Sequence, residues 1–212
     1  MTEGVSTRTS SSAPPGDGVP DRDLVLRARS GDAEAFRMIF ERCATAIHRF
    51  TGDVLRDAAL ADEATQETFV RAHARLGSLR EGEALLGWLF GIARLISLEH
   101  LRERRRAAGA SAVTWPADGP ATPDADPRPQ EADRAPTPEA ALLTREADRL
   151  LDAALGELPG DRRAALLLRL DHGLAYDEIA EAMGWGLAKV KNEIHRARVQ
   201  LRGALAAYLE ET

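Results

Sequence analysis

The chain has 212 residues, 44% of them hydrophobic and 29% charged, with a net charge of −6. This is the composition of a folded soluble protein, with enough length for one medium domain or two small ones. No run of eighteen apolar residues is present to span a membrane, and the first twenty residues lack the apolar centre of a signal peptide. A single cysteine, Cys43, excludes an internal disulfide, suits a reducing cytoplasm and reads as a small buried apolar side chain.

Residues 1–20 hold almost no large apolar side chains and read as a flexible, disordered tail. From 21 to 106 apolar residues recur at helical spacing. Leu24 and Ala28, then Ala35, Phe36, Ile39, Phe40, Ala46, Ile47 and Phe50, predict two helices joined at Ser30-Gly31-Asp32, with Asp32 as N-cap of the second. A third helix is expected over about 58–76 and a fourth over about 84–106, with the loop Gly77 to Glu83 between them. Residues 107–138 change character. Eight of the eleven prolines fall between Pro116 and Pro159, mostly here, among Ala, Asp and Gly, which predicts a semi-extended linker without a core of its own. Its acids (Asp118, Asp124, Asp126, Glu131 and Asp133) give it a negative field. From Glu139 helical spacing returns through Leu142, Leu143, Leu150, Leu151, Leu155 and Leu158. Pro159-Gly160-Asp161 then stops that helix and caps the next, 162–171. The fold class expected is all-α: two small helical domains, 21–106 and 139–212, joined by a flexible Pro/Ala/Asp-rich linker.

Between Leu174 and Leu201 the sequence has the form of a helix-turn-helix. Ala180 lets the second helix approach closely, and Gly184 supplies the positive φ that ends the first. Ile179, Met183, Val190 and Ile194 close a small core between them. From Lys189 to Arg202 there are five basic residues and one acid, Glu193, so this helix would lie against DNA despite the negative total. A second basic cluster runs from Arg94 to Arg106. There Trp88 and Phe90 either stack on bases of a single strand or fill the core between helices, while the arginines track phosphates. Signatures of catalysis are absent: no Gly-x-Ser-x-Gly, no Walker-type loop, no His-Glu-x-x-His, no paired cysteines. The five histidines (His48, His73, His100, His172 and His195) are scattered as surface or core residues are. No enzyme activity, metal or cofactor is expected.

The run Asp62-Glu63-Ala64-Thr65-Gln66-Glu67-Thr68-Phe69-Val70-Arg71-Ala72, followed by Gly87-Trp88-Leu89-Phe90-Gly91-Ile92-Ala93-Arg94 and the basic tail to Arg106, resembles the second conserved region of the extracytoplasmic-function (ECF) sigma factors of the bacterial sigma-70 family. The Pro159-x-x-x-Arg163 start and the Tyr176-x-Glu178-Ile179-Ala180 helix-turn-helix resemble the fourth region of the same family. Together these segments span about 150 residues in family order. The resemblance implies a subunit that binds core RNA polymerase and directs promoter-specific initiation in the cytoplasm, without membrane insertion. Its partners would be core polymerase, promoter DNA and an anti-sigma factor. It also implies polymerase docking through Glu63, Gln66, Glu67 and Arg71. The −10 element would be bound and melted by Ser78, Arg80, Glu81, Glu83, Trp88, Phe90, Arg94, Arg102, Arg104 and Arg105. Ala188, Lys189, Lys191, Asn192, Glu193, Arg196, Arg198 and Arg202 would bind the −35 element, with Asn192 and Glu193 reading base edges. The chain departs from the family pattern at Gly91, Leu95 and Glu99, where Arg, Asn and Asp are usual, and along Gly186 to Glu193 of the recognition helix. The competing reading is a stand-alone helix-turn-helix regulator that binds duplex DNA as a dimer.

Overall fold

The computed structural model describes residues 21–80, 84–110 and 149–211. Among the described residues the structure is helical, with no strand. Helix α1 is Asp21–Arg29, α2 Ala33–Leu55, α3 Ala58–Arg75 and α4 Leu85–Ala110, with a 3-10 turn at Leu76–Ser78. Helix α5 is described over 149–156, and α6 (Gly160–Leu170), α7 (Tyr176–Met183) and α8 (Leu187–Glu211) follow. The expected tail, most of the expected linker, and the candidates Glu81 and Glu83 lie outside the described residues.

Local chemistry sets these boundaries. Asp32 has extended backbone, and its carboxylate accepts the Glu34 and Ala35 N–H groups at 3.0 and 3.1 Å, so it caps α2 as its position predicts. The Arg27 guanidinium on the same carboxylate, together with those N–H groups, holds its pKa below the usual carboxylate range. Asp57 caps α3 by accepting the Leu60 N–H at 3.1 Å. Gly52 meets the Ala61 methyl, so α2 and α3 approach closely, and the buried hydroxyls of Thr51 and Thr65 bond to each other and to the Ala61 carbonyl. Cys43 is buried as expected, and burial pushes its thiol up to about 12.

The two halves share one core. Helix α4 packs on α2 and α3 on one side and on α6 and α7 on the other. Helix α6 shows why: Arg163 through Leu168 are buried without a break. A helix wetted on one face would bury only a stripe. Arg163 is 5% exposed, and its guanidinium donates to the carbonyls of Leu155 (2.8 Å), Gly156 (2.6 Å) and Leu158 (3.2 Å), which end α5, and of Val54 (2.7 Å) at the end of α2. Orphan carbonyls at helix C-termini are negative ends of peptide dipoles, so a cation there satisfies hydrogen bonds and field together. His172, just after α6, packs its ring against Phe90 (centroids 4.6 Å apart) and Phe50 (5.9 Å).

Replacing Arg163 by Met should therefore destabilise the fold by about 3 kcal/mol, because buried carbonyls lose their donor, read as a lowered urea midpoint. Burial holds the His172 pKa down at about 4, against 6.5 for the free side chain. The unfolded chain then binds the extra proton first as pH falls, so stability present above pH 6.5 should decline between 6.5 and 4, at up to about 1.4 kcal/mol per pH unit. The depressed carboxylates act lower, below about 4.5. Urea midpoints between pH 7 and 4.5 should flatten in His172→Phe.

Candidate nucleic-acid interfaces

Helix α7 begins with half of a capping box: the Ala175 N–H donates to the Glu178 carboxylate at 2.7 Å, while Ala175 has no side-chain oxygen to return the bond. It ends at Gly184, whose φ of 62° lets its own N–H and that of Trp185 reach back to the carbonyls of the last turn. Ile179, Met183, Val190 and Ile194 are buried between α7 and α8, as the spacing predicts. Outward from this core, Ala188, Lys189, Lys191, Asn192, Arg196, Arg198 and Arg202 are exposed. Lys189 places its ammonium 4.0 Å from the centroid of the Trp185 ring, a cation–π contact that limits the lysine's freedom.

Glu193 differs from its neighbours. Its side chain is only 17% exposed, and both carboxylate oxygens are taken, one by the Arg162 Nε at 2.8 Å and one by the Arg196 Nη1 at 3.2 Å. The Arg162 hydrogen bond holds its pKa below the usual range. The helical spacing that put Glu193 beside Asn192 on a reading face missed Arg162, which is supplied by α6. Each oxygen thus already accepts from an arginine, which leaves it less capacity to accept from a base edge.

On α3, Glu63 and Gln66 are exposed, while Phe69 and Ala72 face inward as expected. Glu67 and Arg71 are engaged within the fold: Glu67 accepts from Arg71 at 2.6 Å, and Arg71 reaches Glu99 on α4 at 2.7 Å. This network raises the Arg71 pKa and lowers that of Glu99. It gives Glu99, one of the departures, a structural partner.

Around the start of α4 the candidates separate. Ser78 and Arg80 are exposed, and Arg29 pins this turn by donating to the Leu76 and Leu79 carbonyls. Trp88 is half-buried beside a cavity of about 300 Å³ that Ser78, Arg75, Arg94 and Leu95 also line. The opposite wall of the cavity is the end of α7, Glu181 to Gly184. Phe90 has no exposed surface, packed at 5.2 Å on Phe50 and against His172. Of the two readings open for this ring, the structure takes the core one, since a ring enclosed on both faces cannot stack on a base. Arg94 is mostly buried too, paired with Asp161 and donating to the Met183 carbonyl at 3.2 Å. Arg102 and Arg105 are exposed, while Arg104, also exposed, extends one nitrogen to the Leu55 carbonyl at 3.4 Å. Local pattern gave Asp161 only a capping role and His172 only a place among scattered histidines, and it gave Arg162 no role. The unbroken apolar run of α6 was the available signal that both sides of that helix are covered.

Two family models match the chain: Sigma-70 region 2 over residues 39–107 and Sigma-70, region 4 over 148–201. The RNA polymerase sigma-H factor of Pseudomonas aeruginosa is 33% identical over 194 residues, 90% of this chain and 96% of that protein. The ECF RNA polymerase sigma factor SigE of Mycolicibacterium smegmatis is 36% identical over 152 residues, 72% of this chain and 54% of that one. Among solved structures, sigma factor RpoE of Bartonella quintana, in complex with the anti-sigma factor NepR, aligns with a TM-score of 0.62 at 22% identity, over 82% of this chain and 98% of that one. CnrH, in complex with the cytosolic domain of CnrY, aligns at 0.60 and 24%, over 88% and 97%. At these identities the two structures establish the shared fold.

Proposed function

The chain belongs to the ECF sigma factors of the bacterial sigma-70 family, and from that membership we propose how its surfaces divide the work of promoter-specific transcription initiation. Core RNA polymerase supplies the chemistry, and this subunit supplies recognition without a reaction of its own, in the cytoplasm where polymerase acts. Among the described residues no helix is long and apolar enough to cross a membrane. The observation that carries the reading is the segregation of exposed charge: basic on α8 and the tail of α4, acidic and amide on α3.

Helix α8 meets the −35 duplex, with Lys191, Arg198 and Arg202 on phosphates and Asn192 reading a base edge. Ala188, beside Lys189 near the helix start, is small enough to let the backbone approach the groove. Glu193 acts by orienting Arg196, on the same face of α8 as Asn192, toward a base edge rather than by touching a base itself. The loop after α3, with Ser78, Arg80, Glu81 and Glu83, meets the opened −10 segment together with Trp88, Arg94 and the arginines Arg102, Arg104 and Arg105. Glu63 and Gln66 contact core polymerase directly, with Glu67 and Arg71 holding α3 against α4 behind them. An anti-sigma factor binds the free chain, a reading supported by the complexes in which the structural relatives are found. Co-purification with core polymerase and run-off transcription test the whole assignment, and failure of both would refute it.

If Glu193 orients Arg196, then Glu193→Gln and Arg162→Ala should each relax discrimination at one −35 base pair, by about 1–3 kcal/mol, although Arg162 belongs to another helix. A randomised-promoter selection reads this, and unchanged preference in both variants would exclude the positioning role. On α3, Gln66→Ala should weaken binding to core polymerase with no loss of thermal stability, whereas Glu67→Ala should also lower the melting temperature by releasing Arg71. Calorimetry of binding and of unfolding separates the two.

A further inference from the structure

Of the three departures on α4, Glu99 is held by Arg71. Gly91 and Leu95, one turn apart, instead shape the cavity of about 300 Å³ beside Trp88. At Gly91 a Cβ would stand 3.0 Å from the Ala182 backbone carbonyl, so its absence lets the end of α7 come in as the far wall. Leu95, 46% exposed, extends the apolar wall made by Ile92, Met183 and Trp88. The charges around this wall are unevenly matched. Arg75, exposed at the end of α3, meets no carboxylate among the described residues. Arg94 commits one nitrogen to Asp161 and another to the Met183 carbonyl, and its buried Nε has no acceptor. Against these two cations the lining sets one acid, Glu181.

We propose that this cavity is a binding site for a small aromatic carboxylate. Its make-up is that of a ligand site: mainly apolar walls with a few polar groups converging on one place. The apolar body of the ligand lies against Leu95, Ile92 and Met183 and packs on the Trp88 ring, for which offset or edge-on contact is favourable. Its carboxylate faces Arg75, whose planar fork matches two carboxylate oxygens and has no competing acid. An oxygen drawn toward Arg94 gives Nε the acceptor it lacks, and a buried donor left without one is costly. A neutral molecule of the same shape fills the walls but leaves both guanidinium groups as they were. With α7 as one wall the cavity takes a compact molecule, and the proposal does not depend on which surface binds DNA.

Methyl NMR of the full-length chain, labelled at methionine, tests this. The chain has three methionines. Met183 lines the cavity, while Met38 on α2 does not and serves as the internal control. The probes are 2-naphthoate and its neutral counterpart of the same shape, 2-naphthamide. Titration with 2-naphthoate should move the Met183 signal and leave Met38 in place, with a Kd below about 1 mM. The amide should bind at least fivefold more weakly. Arg75→Gln should abolish that preference by weakening 2-naphthoate alone. Leu95→Asn should weaken both probes, whereas Val199→Asn, at a comparably exposed apolar residue of α8, should weaken neither. A Met183 signal that stays still at about 5 mM 2-naphthoate would overturn the site. Equal affinity of the wild-type chain for the two probes would overturn the anionic class, as would a preference that survives Arg75→Gln. Equal weakening by Leu95→Asn and Val199→Asn would overturn the location.

Discussion

Arg163 carries a guanidinium into the centre of the molecule, where it meets only carbonyl oxygens. Desolvation penalises the charge and lowers its pKa, and nearby arginines, Arg56 first among them, add to the penalty. The charge is tolerated because the ends of two helices bring four dipoles to it. The rest of the arrangement depends on this. Helix α5 must end at Gly156 with its turn closing at Leu158, α2 must end beside it, and α6 must start where its third residue after Gly160 reaches both. Pro159 fits that geometry, since it can start a helix without an N–H to satisfy.

Charge organises the outer surface by a related principle. The net charge is negative, yet acids and bases are sorted by whether the fold has already used them. Glu193, Glu99, Glu67 and Asp161 are each bound to an arginine, so their charge is cancelled locally. The exposed cations of α8 and of the α4 tail keep their field for an outside anion. Identity of residue type alone does not separate these two classes. Two acids in one helix can differ completely in role according to what the neighbouring helix places opposite them.

This is also where the sequence was legible and where it was not. Features decided within a few residues were readable: the Asp32 cap, the positive φ at Gly184, the buried set Ile179, Met183, Val190 and Ile194, the inward turn of Phe69 and Ala72. Each follows from periodicity or from backbone conformation, which are local. The pairing of Glu193 with Arg162, and of Arg94 with Asp161, spans 31 and 67 residues, and spacing along one helix carries no information about a second helix. Phe90 illustrates the limit: an aromatic on a basic helix has two physical uses, and only the arrival of Phe50 and His172 on its faces decides between them.

Phe90 also bears on the chain's life outside a complex. The polar contacts between the halves end on carbonyls or charges that water satisfies as well as protein does. The ring is different. Once His172 withdraws, an aromatic face from the middle of the core meets solvent, and water offers it nothing in exchange. Parting the halves would therefore uncover apolar surface of the kind that favours association. The same burial that hides the ring thus also holds the two halves together.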